Sequence, residues 1–120
     1  MKRKILSFIA TMLVAVAAYA ASDVNLVPLT RISGHNQKTV TTAGTEQRLS
    51  ATSILCSSIV VKALSTNTGL IYVGNSSSVA STNGFVLSAS ESIAMDIDNV
   101  QDVWIDSSVN AEGVSWIAIK

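Results

Sequence analysis

The chain has one cysteine, one proline and one histidine in 120 residues, and 13% of its side chains are charged. A single cysteine, Cys56, excludes an internal disulfide. Beside Ile54, Leu55, Ile59, Val60 and Val61 it reads as a small buried residue, the other reading for an exported protein being an intermolecular or reactive thiol. One histidine, His35, with no second histidine and no close cysteine, cannot complete a zinc set or a catalytic triad. It falls among turn-forming residues and reads as a solvated loop side chain. Serines are plentiful, but none occupies the Gly-x-Ser-x-Gly elbow that exposes a nucleophile. The residues therefore nominate no catalytic set, no metal ligands and no cofactor site.

Basic residues are also scarce once the N-terminus is set aside. Residues 1–4 are basic and residues 5–19 carry no charge, and Ala18-Tyr19-Ala20 has the small-x-small form that signal peptidase accepts, so cleavage before Ala21 is expected. The alternative is a retained anchor, because the apolar run over 5–21 sits at the lower edge of the roughly 17 to 25 residues needed to span a bilayer. Membrane contact is expected only through that run, and only if it stays uncleaved. Without Lys2, Arg3 and Lys4 the chain keeps five basic against eight acidic residues, a net charge of −3. Five scattered cations, Arg31, Lys38, Arg48, Lys62 and Lys120, make no basic patch, which argues against nucleic acid as a partner.

What is abundant is serine and threonine, 26 of the 100 residues from Ala21 onward. Together with β-branched residues and recurrent Asn and Gly, they suit strand faces and turns better than helices. Residues 21–37 read as an arm or linker, with Pro28 interrupting an apolar run and Ser33-Gly34-His35-Asn36 as turn chemistry. Lys38 to Thr42 and Glu46 to Leu49 suggest a first hairpin around Ala43-Gly44-Thr45. Cys56 to Leu64 reads as a central strand buried on both faces. It is expected to pair with Leu70 to Val73 across the turn Thr66-Asn67-Thr68-Gly69, and a brief Val79-Ala80 pairing to precede a strand at Phe85 to Leu87.

The most regular alternation lies between Glu91 and Asp106. Ile93, Met95 and Ile97 share one face, and after Asp98-Asn99 the apolar positions resume at Val103 and Ile105, which suggests two half-buried antiparallel strands. The last strand, Val114 to Ile119, sets Val114, Trp116 and Ala118 against Ser115, Ile117 and Ile119. Seven or eight short strands and no amphipathic helix after the leader predict an all-β domain over 38–120. The architecture expected is an antiparallel β-sandwich or small jelly roll, preceded by a hydrophobic leader helix.

Two groups of side chains invite a functional reading. Asp96, Asp98 and Asp102 resemble a calcium cluster, but Ile97 and Val100 interrupt the loop and no glycine supplies an EF-hand turn, so solvated strand faces fit better. Trp104 shares a face with Asp102 and Asp106, an arrangement suited to stacking on a sugar or contacting a partner protein, with packing against a subunit or loop as the plainer reading. Both faces of the 56–64 and 114–119 strands are apolar or weakly polar. A homo-oligomer is therefore expected, a trimer more than a dimer, with Trp104 or Ile117 near the contact.

In order along the chain, TTAGTEQRLSA (41–51), SSIVVKAL (57–64), STNTGLIYVG (65–74), STNGFVLSASESIAMDIDNVQDVWIDS (81–107) and EGVSWIAI (112–119) resemble a small β-sandwich module of tailed-bacteriophage virion proteins. Such modules serve as head-decoration, head-fibre or tail-associated parts. The resemblance implies a structural role in the virion, contacts with copies of itself and other virion proteins, and no catalytic residues. The rival expectation is an exported bacterial β-sandwich that binds a glycan or a cell-surface partner from the periplasm or cell surface.

Overall fold

Short apolar runs separated by turn residues fold, in the computed structural model, into strands that pair antiparallel throughout. The structure describes residues 31–120. The expected leader over 1–20, and residues 21–30 of the expected arm, lie outside the described residues. The strands are β1 (Ile32–Val40), β2 (Gln47–Arg48), β3 (Ser58–Ala63), β4 (Ile71–Gly74), β5 (Phe85–Leu87), β6 (Ser92–Met95), β7 (Trp104–Ser107) and β8 (Glu112–Ile119), with a 3-10 turn at Val100–Asp102. They form two four-stranded sheets, ordered β1-β8-β3-β6 and β2-β7-β4-β5.

The pairing has a simple rule. β1 pairs with β8, β2 with β7, β3 with β6 and β4 with β5. The chain behaves as one long two-stranded ribbon, doubled back at β4 and β5 and wrapped so that successive segments fall in alternate sheets. The β3·β8 and β4·β7 ladders then close each sheet.

Period-two alternation drives the wrapping, because each strand has one face that must leave water. From the first sheet Ile59, Val61, Ala63, Val114, Trp116 and Ala118 point inward, and from the second Ile71, Val73, Leu87 and Ile105. Leu49, Cys56, Val100 and Val103 close the ends, while Ile93, Met95 and Ile97 pack against this core from the β6 side. Each fully buried Ile or Leu contributes about 1.5–3 kcal/mol through apolar area removed from water.

Several expected pairings are replaced. Ser33-Gly34-His35-Asn36 is not a turn but the first half of β1, so the paired structure begins before Lys38 and residues 32–37 belong to a sheet instead of an arm. The expected hairpins 38–42 with 46–49, and 56–64 with 70–73, do not form, since β1 and β3 lie in one sheet and β2 and β4 in the other. The acidic strands β6 and β7 likewise lie in different sheets and do not pair, and Val79-Ala80 belongs to no strand. β3 is central, as expected, but it is buried on its inner face only: Lys62 is exposed and Val60 half-buried. At 43–45 and 66–69 the chain does turn, but the turn hands it to the opposite sheet, so the strands on either side do not pair.

Candidate functional site

Trp104 sits on the outer face of the second sheet, in register with Arg48 of β2. The Arg48 guanidinium lies over the indole, 4.8 Å from its centroid, and leaves the ring half-buried. An exposed cation–π contact of this kind contributes about 0.5–1 kcal/mol and covers the face that a sugar would stack on. Asp106, expected beside Trp104 on an open face, is instead buried. Its Oδ1 accepts hydrogen bonds from Gly44 N (2.9 Å) and Ser107 N (2.7 Å), tying the 42–45 turn to β7. Gly44 holds a positive φ of 80°, which a side chain would strain. Asp102 is exposed in the 3-10 turn.

Ile117 lies on the outer face of the first sheet, on the other side of the molecule from Trp104, so the structure does not bring the four nominated residues together. Asp96 and Asp98 are exposed. Among the described residues no group of three or more His, Cys, Asp or Glu side chains gathers closely enough to hold a metal ion.

A second acidic residue has a structural task. Glu112, at the start of β8, accepts hydrogen bonds from Thr68 N, from Thr68 Oγ1 (2.8 Å) and from Gly69 N (3.0 Å). Burial pushes its pKa up, but the Thr68 and Gly69 hydrogen bonds outweigh that and hold the carboxyl below its ordinary value. Beside it Asn67 Nδ2 donates to Gly113 O (2.8 Å) and Asn67 Oδ1 accepts from Gly113 N (3.2 Å), so its amide pairs with the β8 backbone as a strand would. Cys56 is buried and donates to Ile97 O at 3.3 Å; burial, then the charges of Asp98 and Asp102, push its thiol up.

The concave feature that sequence reasoning missed runs along β1. The pairing of β1 with β8 places Gly34, Asn36 and Lys38 opposite the inward residues Ala118, Trp116 and Val114. From Gly34 to Lys38 the inner face of this edge strand is therefore polar and, unlike Val40 at its end, stays out of the core. The segment from Leu49 to Ile54 stands across from it instead, leaving a cleft of about 370 Å³. That far wall is fixed by the 3-10 turn: Val100 N donates to Ile54 O (3.0 Å), Ile54 N to Asn99 Oδ1 (3.1 Å) and Gln101 Nε2 to Ala51 O (2.9 Å). An adjoining cleft of about 560 Å³ shares Ile54 and continues past Arg31, Ser33 and Lys120.

Trp116, 5% exposed, forms part of the first cleft, and its Nε1 is buried with no hydrogen-bond partner among the described residues. Ser33 Oγ, beside the second cleft, is also buried and unpartnered. A buried donor left unmet costs about 1–3 kcal/mol, so two beside these clefts, one on β1 and one on β8, single out this side of the molecule. Gly34 provides the room, since a Cβ there would lie 3.3 Å from Trp116 Cη2. His35, expected in a loop, is exposed on β1, where alternation sets it on the outer face in register with Ile117. The signal in the sequence was the alternation Gly34, Asn36, Lys38, Val40, a strand face with polar residues where apolar ones are usual.

The chain matches no family model, no curated protein and no solved structure.

Proposed function

We propose that the protein is a non-enzymatic jelly roll serving as a structural or accessory protein of a phage virion. It acts through its sheet faces and loops, with copies of itself and other virion proteins as partners. The observation that carries this reading is the strand pairing, β1·β8, β2·β7, β3·β6 and β4·β5 across two sheets. A doubled-back ribbon wrapped into two four-stranded sheets is the jelly-roll arrangement, which recurs in viral capsid and lectin domains. The step from that arrangement to a virion is an argument by analogy of fold and of sequence resemblance.

A second reading is favoured by the polar clefts along β1: an exported module that binds a glycan or a cell-surface partner, released to the periplasm or cell surface once the leader is removed. Mass spectrometry of gradient-purified particles from the producing cells, alongside the periplasmic and surface fractions, separates the two. Stoichiometric recovery in particles supports the virion reading. A chain beginning at Ala21, found in the exported fractions and absent from particles, overturns it in favour of the second.

A further inference from the structure

We propose that the cleft between β1 and Leu49–Ile54 binds an acidic saccharide, with Lys38 meeting a sugar carboxylate and Asn36 and Trp116 Nε1 serving its oxygens. The inference rests on the glycan-binding reading and deepens it by naming the ligand class and the cleft; a failed titration removes this site, whereas particle recovery decides between the two roles.

Charge is the first argument. From Ala21 onward the chain is acidic, with five basic against eight acidic residues. Yet Lys38 is the charged side chain that lines the first cleft from the inner face of β1, the adjoining cleft adds Arg31 and Lys120, and among the described residues no Asp or Glu lines either. Against an acidic background, the charge on the cleft walls is positive, set among hydrogen-bonding groups and the apolar Leu49 and Ile54, which favours an anion.

Chemistry of the walls is the second. Facing Asn36 and Lys38 stand Ser50 and Thr52, and buried beside them lies the unpartnered indole N–H of Trp116. Such a wall serves a ligand with many hydroxyl and carboxylate oxygens. A volume of about 370 Å³ falls within the range of small-ligand sites. A peptide added as an extra strand on β1 would instead require apolar pockets for alternate side chains, and the side chains of this cleft are mostly polar. Trp116 lines the cleft and its indole N–H has no hydrogen-bond partner among the described residues, so a ligand oxygen offers it one.

The test uses tetragalacturonic acid, its neutral methyl ester and an acidic peptide, titrated into the ¹⁵N-labelled protein. Two indole N–H signals are expected, assigned with Trp104→Phe. The acid tetramer should shift the Trp116 signal and leave Trp104 unmoved. Lys38→Gln and Asn36→Ala should each weaken binding about tenfold, whereas Arg48→Gln, a cation outside the cleft, should not change it. Unchanged spectra at millimolar tetramer overturn the proposal. Equal binding of the ester removes the carboxylate from it, and equal binding of the acidic peptide reassigns the cleft to a peptide. A Lys38→Gln protein with a wild-type spectrum and wild-type affinity also overturns it.

Discussion

Glu112 is one residue whose protonation the fold controls. Because its carboxyl is held below the ordinary value by Thr68 and Gly69, its contribution is fully present above the unfolded value of about 4.3 and is lost as pH falls through the lower folded value. Glu112→Gln should therefore lower stability by about 1–3 kcal/mol near neutrality. The gap to the native protein should close in acid, as read by urea unfolding at a series of pH values. A gap that stays constant down to the most acid point would mean that the charge of Glu112 is not what the loop needs. Two further residues report on the core. Val61, fully buried on β3, should cost about 1–3 kcal/mol when cut to alanine, through lost transfer energy and a cavity. Ile97→Ala should cost less, since Ile97 is only half-buried beyond the end of β6. Cys56, buried and with its thiol pushed up, should react with iodoacetamide only as the protein unfolds; rapid labelling of the folded protein would contradict its placement.

At the scale of the element, β8 is the strand on which the first sheet depends, since β1 pairs along nearly all of it and β3 along its other edge. Its weakest tolerance is at Gly113, where an added Cβ would collide with the Lys38 carbonyl. Gly113→Ala should force β1 and β8 apart, destabilise by about 1–3 kcal/mol and raise amide exchange along β1 first; uniform exchange across both sheets would argue against that coupling. The alternation of β8 was legible in the sequence because the strand is long and half-buried, so Val114, Trp116 and Ala118 marked the inner face unaided. The short strand at Phe85 to Leu87 and the apolar faces of β3, β6 and β7 were legible from local alternation and the turn residues that bound them. What could not be read was which strands pair. Alternation and turn chemistry are local, whereas β1·β8 joins residues about eighty positions apart, and a turn such as 66–69 looks the same whether it returns the chain to its own sheet or crosses to the other. The cleft escaped notice on the same ground. Gly34, Asn36 and Lys38 resemble loop residues until pairing with β8 makes them a strand face, and Asp106 resembled a solvated carboxylate until the 42–45 turn, far from it in sequence, was found closing over it.

For the whole molecule, the two outer faces differ in how the chain itself covers them. Over the second sheet the segment from Asn75 to Gly84 folds back, burying Val79 and Tyr72, and Arg48 shields Trp104. Among the described residues the first sheet has no such cover. There His35, Ile117, Val60 and Ala94 line up in register across β1, β8, β3 and β6, with Ile117 37% exposed. If copies associate, as a virion accessory protein requires, this face is where apolar surface remains to be removed from water. Of the two residues that the sequence placed near a contact, Ile117 is therefore the one expected to matter. Sedimentation equilibrium of the protein at micromolar concentration should give a homo-oligomer, a trimer by analogy with virion modules. Ile117→Lys should weaken it about tenfold or more by placing a charge in the contact, while Trp104→Phe should leave it intact. Phe85, 55% exposed on the edge strand β5, supplies the contrast: dissociation by Phe85→Ser but not by Ile117→Lys would mean that copies meet edge to edge through the second sheet. A native protein that sediments as a monomer throughout would leave the first sheet's outer face without a partner copy and remove self-association from the proposed role.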